Sequence, residues 1–164
     1  MHKVTSFVVG AMVLGAVALT AGISVPAVAL EGKAAIEKRV KFMKNDVLGP
    51  WKVIKGYVKK GMGTPADVAA AASKIHAASM KIPGLFPKGT SRGEFDAKTT
   101  RALPKIWQDW KGFEAAAKRL GDESAKLASV AAGGDKAAIG AQVGITGKMG
   151  CGGCHKPFRG AKEK

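Results

Sequence analysis

The feature that most restricts the fold of this chain is the spacing of its apolar and small side chains. In three stretches they recur at alternating steps of four and three residues, which is typical of one helix face packed in a bundle. Aromatic residues make up only 6% of the chain, which argues against an all-β fold. The three stretches follow Ile36, Val40, Met43, Val47, Pro50, Ile54 and Tyr57; Val68, Ala72, Ile75, Ser79 and Ile82; and Ile106, Trp110, Phe113, Ala117, Leu120, Ser124, Leu127 and Ala131.

Helix-start and helix-stop signals divide these stretches. We expect Gly49-Pro50 to kink or interrupt the first helix near its middle, because proline removes a backbone donor. A fourth helix, capped by Asp135, should run towards Phe158. Residues 83–103 form a long connection rich in glycine and proline, and such loops are usually functional. The chain is therefore predicted to be all-α, an antiparallel four-helix bundle. The other signals are Thr64-Pro65 and Pro104 as starts, and Pro83-Gly84 and Gly133-Gly134 as stops.

The first 29 residues have the pattern of a secretory signal peptide. A positive start at 1–3 precedes an apolar run at 8–21 and a small-x-small ending at 25–29. Cleavage after Ala29 would leave one domain, residues 30–164. The apolar run is short for a membrane span, although an uncleaved anchor is the alternative. The pattern predicts that the mature chain is exported.

The net charge of +15, from 27 Lys and Arg against 12 Asp and Glu, indicates an anionic partner. Nucleic acid is one candidate, but an exported chain has little access to it. No basic and aromatic nucleic-acid-binding module is recognisable either. We therefore expect no nucleic acid, and instead a protein with an acidic surface whose association weakens with salt.

Near the C-terminus, Cys151-Gly152-Gly153-Cys154-His155 is the attachment motif of c-type haem. On a helix, the two thiols and the imidazole share a face, so the thiols can reach the vinyl groups of one porphyrin while the imidazole reaches the iron. A redox dithiol is an alternative, but it usually belongs to a βαβ unit. A zinc site would need a fourth ligand. The motif predicts one haem c, attached through Cys151 and Cys154 and ligated by His155.

With this motif at the end of a four-helix chain, the sequence resembles the class II cytochromes c, the cytochrome c′ family and its low-spin relatives. The resemblance implies a four-helix bundle with haem near the C-terminal end, often a homodimer, exported to the bacterial periplasm. It also implies a protein that is not an enzyme. Besides the motif, the resemblance rests on Arg39, Met43, the loop 85–90, residues 102–107, Phe113 and Phe158-Arg159.

In that family a residue of the first helix faces the second side of the iron, and the matching residue here is Met43. If its sulfur binds iron, the haem is six-coordinate and suited to carrying electrons in the periplasm. If Met43 only packs, as methionines on an apolar stripe usually do, NO or CO could bind in its place. His76 is a further candidate ligand, although a partly exposed surface histidine is the simpler interpretation.

Other side chains are candidates for holding the haem. Arg39 lies one turn before Met43 and could bind a propionate, or it could be a solvated surface residue. The resemblance places Arg159 near the proximal histidine, on its face if the helix continues. Trp107 could lie under the porphyrin or simply pack in the core. Phe86 and Phe158 could close the pocket, whereas the helical spacing of Trp110 and Phe113 indicates core packing.

Overall fold

The computed structural model describes residues 24–163. Within that range no helix is both long enough and apolar enough to cross a membrane. The predicted signal peptide, residues 1–29, falls mostly outside the described residues. The helices are α1 (Ser24–Phe42), α2 (Gly49–Lys60), α3 (Pro65–Ser79), α4 (Lys105–Gln108), α5 (Trp110–Ala132), α6 (Lys136–Ile145) and α7 (Gly152–Phe158).

These helices form four rods. Two π-helical segments, Met43–Leu48 and Thr146–Cys151, join α1 to α2 and α6 to α7. The second rod is α3, and α4 with α5 forms the third. The second rod packs on the first and third, and the fourth packs on the third and first. The predicted antiparallel four-helix bundle is confirmed, and the second and third stripes form most of its core.

Local sequence signals cap the starts of two helices as predicted. The hydroxyl of Thr64 accepts a hydrogen bond from the backbone N–H of Asp67, whose carboxylate accepts one from the N–H of Thr64. This reciprocal pair is a capping box. Asp135 caps α6 by accepting from the N–H of Ala138 at 2.8 Å. The third rod has one unpredicted break, because Asp109 ends α4 and caps α5.

The first rod is interrupted next to Gly49-Pro50, as predicted. The interruption is a π-helical segment just before these residues, in which the N–H of Gly49 bonds to the carbonyl of Lys44, five residues back. The proline ring would crowd a carbonyl four residues back in a regular helix, and the wider turn relieves this. The widening also shifts the buried face. Val40, expected on that face, is 52% exposed, whereas Arg39 is buried.

The connection between α3 and α4 folds across one end of the bundle. It contains a single 3-10 turn, Pro83–Leu85, and otherwise irregular chain. It lies against α1, where a Cβ on Gly32 would stand 2.8 Å from the ring of Phe95. It also reaches the end of α7, since the N–H of Leu103 donates to the carbonyl of Phe158 at 3.0 Å. The end of the bundle that this connection crosses, where α7 ends, is called the motif end.

Candidate functional site

The two cysteines and His155 lie where the fourth rod returns from π-helix to α-helix. Cys151 ends the π-helical segment, and Cys154 and His155 follow within α7. Their spacing of three and four residues puts them on one face. Both thiols are free, half-buried and packed against the core. The predicted shared face therefore agrees with the helix that forms there.

The two thiols of the motif are half-buried, whereas the side chain of His155 is exposed. Burial raises the pKa of Cys154 to about 11, and the charge of Cys151 adds to the shift. The pKa of Cys151 is also raised by burial, although a backbone hydrogen bond and Lys55 act in the opposite direction. Desolvation, followed by the charges of Arg159 and Arg101, lowers the pKa of His155. Neutral thiols and a neutral imidazole are thus favoured beside the core.

Two glycines let the π-helical segment of the fourth rod approach its neighbours. A Cβ on Gly150 would lie 3.0 Å from a methyl group of Leu120 in α5. A Cβ on Gly147 would lie 3.4 Å from the ring of Trp51 in α2. Sequence reasoning missed Trp51. The available signal was a large aromatic side chain on the first helix matched by a row of glycines on the last.

Met43 begins the π-helical segment of the first rod, half-buried and packed against the core. The contact between Trp51 and Gly147 fixes the register of the first rod against the antiparallel fourth. Met43 lies eight residues before Trp51, and His155 lies eight residues after Gly147. Each of these eight-residue intervals contains most of one π-helical segment, so both intervals cover a similar distance along the bundle axis. This register puts Met43 and His155 at similar levels of the bundle, within about one helical turn of each other.

An aromatic cluster fills the core next to the motif. The ring of Phe113 meets the edge of Phe86 at 4.8 Å and of Phe158 at 5.4 Å between centroids, and Trp110 lies 5.6 Å away. Trp110 and Phe113 pack in the core as predicted. The indole N–H of Trp107 donates to the carbonyl of Phe86 at 3.1 Å, which ties the loop to α4. The cluster forms an apolar wall of wide, flat side chains.

Arg39 is buried beneath the connection between α3 and α4, with 3% of its surface exposed. Its guanidinium donates to the hydroxyl and carbonyl of Thr90 and to the hydroxyl of Thr100, at 2.6 to 2.7 Å. It also lies 4.7 Å from the ring centroid of Phe86. Burial lowers its pKa to about 10. The interpretation as a solvated surface residue is wrong, because the loop covers this face of α1.

No carboxylate of the described residues pairs with the guanidinium of Arg39. Its hydrogen bonds all go to neutral oxygens, so a buried positive charge lacks a counter-ion. Sequence reasoning missed Thr90 and Thr100. Single threonines in an irregular loop carry no signal that they will meet a residue more than 50 positions away.

His76 and Arg159 occupy different surroundings. The half-buried ring of His76 places Nδ1 3.0 Å from the carbonyl of Gly121, so it helps α3 pack on α5. Arg159 is exposed and follows the end of α7 in extended conformation. The helix thus continues through Pro157 but stops before Arg159. The charge of Arg159 nevertheless lowers the pKa of His155, so Arg159 lies near the motif.

The residues present fit a covalently attached haem. Two free thiols and an imidazole have the spacing that attachment and ligation require. The aromatic cluster offers a flat apolar wall, and buried Arg39 offers a cation to a carboxylate. Bundle cofactors are commonly held between facing helices, and the two cysteines and the aromatic cluster pack against the bundle core.

Comparison with known proteins agrees with this geometry. The family model described as "Cytochrome C'" matches residues 34–159. A cytochrome c' of Rhodospirillum rubrum is 36% identical over 62% of this chain and 66% of its own length. A cytochrome c-554 of Cereibacter sphaeroides is 38% identical over 63% of this chain and 77% of its own.

Among solved structures, a cytochrome c' described as from "Rhodobacter Spheriodes" superposes with a TM-score of 0.70 at 27% identity. The match covers 80% of this chain and 98% of that one. The haem c predicted from the motif is supported, and Cys151 and Cys154 are compatible with its attachment. From the motif, the bundle and these matches together, the chain belongs to the cytochrome c′ family.

Proposed function

We propose that the protein carries single electrons in the periplasm through a haem whose iron is held by His155 and Met43. The observation that carries the proposal is the register of the first rod against the fourth, which gives Met43 and His155 similar levels along the bundle. Bound haem supplies one-electron chemistry by cycling between ferric and ferrous iron. A thioether and an imidazole that stay bound in both states keep reorganisation small, and thioether ligation raises the reduction potential.

The other side chains hold and shield the group. Cys151 and Cys154 would form the thioether links, and their apolar surroundings suit the edge of a porphyrin. Arg39 would bind a haem propionate, which supplies the counter-ion that its buried charge lacks. Phe86 and Trp107 would wall the pocket, since a hydrogen bond and a ring contact hold them together. Arg159 would lie at the proximal edge, near His155.

The cellular compartment and the partner of this electron carrier are inferred from the sequence. A signal peptide of residues 1–29, cleaved to leave residues 30–164, would deliver the domain to the periplasm. The protein would act as a carrier and not as an enzyme, with a redox partner whose surface is acidic.

A homodimer is compatible with a groove of about 740 Å³ between the first and second rods. Exposed Leu48 and Val53 lie on the first rod, and sedimentation of the haem-loaded protein tests the assembly.

A second function follows if Met43 packs without binding iron. The site would then be five-coordinate, and NO or CO could bind in the position that Met43 leaves open. One observation favours this alternative: Met43 begins a π-helical segment, and such segments often occur at functional sites. A change between π-helix and α-helix there would turn the thioether away from the iron.

The absorption spectrum of the haem-loaded protein separates the two functions. We expect a low-spin spectrum with a sulfur-to-iron charge-transfer band in the ferric state, and loss of that band in Met43→Ala. Met149→Ala is the matched control, because Met149 lies near the motif but is exposed. A Met43→Ala spectrum identical to that of the unchanged protein would contradict ligation. A high-spin ferrous protein that binds CO readily would favour the gas-binding function.

A further inference from the structure

Three arginines surround one short piece of backbone at the motif end. The segment 101–103 pairs antiparallel with 158–160: the N–H of Gly160 donates to the carbonyl of Arg101 at 2.8 Å, and Ala102 bridges Arg159. The N–H of Arg92 donates to the carbonyl of Ala102 at 2.7 Å. We call Arg92, Arg101 and Arg159 the arginine cluster.

The cluster is held close by specific contacts. Arg101 donates from Nε to the carbonyl of Gly160 at 2.8 Å. Arg92 packs so tightly that a Cβ on Gly160 would stand 2.6 Å from its Nη1. Arg159 is exposed, and the charge of Arg101, after desolvation, lowers its pKa. Three positive charges are therefore held close together, and their repulsion does not stabilise the fold.

The carboxylates closest in sequence to Arg92 are engaged by other groups: Glu94 accepts from the N–H and hydroxyl of Ser91, and Asp96 accepts from the N–H and hydroxyl of Thr99. The segment 136–162 contains five lysines and arginines and no aspartate or glutamate. Glu163 forms an ion pair with Arg92 at 3.2 Å and is exposed. Among the described residues, Arg101 and Arg159 form no ion pair. Glu163 thus shows that a carboxylate can pair with Arg92, while the guanidinium groups of Arg101 and Arg159 have no carboxylate partner among the described residues.

We propose that the arginine cluster is the docking site for carboxylates on the acidic surface of a redox partner. Guanidinium groups bind carboxylates through paired hydrogen bonds, which gives orientation as well as attraction. Arg159 lies four residues after His155, and the charges of Arg101 and Arg159 act on its imidazole, so a partner bound there would sit close to the haem-attachment motif. Glu163 occupies one position until the partner displaces it. The inference rests on the proposed electron-carrier function and specifies the surface that this function uses.

Two small oxidants of opposite charge test the site on the ferrous, haem-loaded protein at low ionic strength. In the double variant Arg101→Gln/Arg159→Gln, oxidation by anionic hexacyanoferrate(III) should slow about tenfold. Oxidation by cationic tris(phenanthroline)cobalt(III) should not slow. The matched control is Lys59→Gln/Lys60→Gln, which removes two exposed charges at the other end of the bundle. Equal slowing by both pairs would overturn the proposal.

Further variants separate docking from folding and from iron ligation. Arg101→Lys/Arg159→Lys keeps the charge and should retain at least half of the hexacyanoferrate rate; a tenfold loss would overturn the assignment. Glu163→Gln should tighten binding of a polyaspartate peptide, measured by calorimetry, and unchanged binding would count against the site. The charge-transfer band reports Met43 separately. A band missing from every protein overturns the proposed ligation, whereas an intact band with unchanged rates overturns only the docking site.

Discussion

The two ends of the bundle are built in different ways. At the end opposite the motif, short turns join the rods, and each is closed by groups a few residues apart, such as Thr64 with Asp67 and Asp135 with Ala138. At the motif end, a long irregular connection is held by partners distant in sequence, such as Arg39 with Thr90 and Thr100. One end is closed by local capping, and the other depends on long-range contacts.

This difference separates two ways of closing the end of a bundle. Local caps stabilise a helix end whatever the rest of the chain binds. The motif end instead contains a buried charge without a counter-ion, glycines in close contact and clustered arginines, and its stability depends on contacts between distant residues. Features that are costly for the fold are concentrated where the haem motif lies, as expected for a functional site.

The largest effect should come from Arg39. Replacement by methionine keeps much of the apolar stem but leaves oxygens of Thr90 and Thr100 without their donor. We expect the free energy of unfolding of the haem-loaded protein to fall by about 3 kcal/mol. Chemical denaturation measures this. Lys38→Met is the control, since Lys38 is exposed on the same helix and its loss should change stability by less than about 0.5 kcal/mol. Equal effects at both positions would contradict the clamp.

A smaller effect should separate two glycines of the fourth rod. Gly150→Ala would push the π-helical segment away from Leu120 and should cost about 2 kcal/mol in the free energy of unfolding. Gly140→Ala, in α6, meets no atom within 4 Å and should instead stabilise the protein by about 0.5 kcal/mol. Thermal unfolding of both variants gives the comparison. Stabilisation by both would show that the close approach at Gly150 is not needed.

The smallest effect should appear at the opposite end, in the titration of Asp67. Hydrogen bonds from Thr64 lower the pKa of its carboxyl. The capped carboxylate therefore contributes stability above its ordinary pKa, and this is lost as the pH falls through the lowered folded value. Thr64→Ala should raise the pKa of Asp67 towards its ordinary range, as carboxyl NMR titration can measure. An unchanged pKa would show that the capping box is not formed in solution.

Much of the fold could be predicted from the sequence. Periodicity identified the second and third buried stripes, and Thr64 and Asp135 marked helix starts, because these signals act within a few residues. The haem motif was equally visible, since its chemistry requires residues adjacent in sequence. Val40 was predicted wrongly because the π-helical widening ahead of Pro50 moved the buried face to Arg39. A local spacing pattern assumes a constant helical turn.

The sequence by itself determined that three of four helices would bury periodic stripes and that two thiols and an imidazole would share one helix face. Only the tertiary structure decided which distant groups meet. It set the register of Met43 against His155 through Trp51 and Gly147. It buried Arg39 under the loop and gathered three arginines around Gly160. The physical reason is that backbone periodicity is a short-range property, whereas register and burial depend on how whole rods pack together.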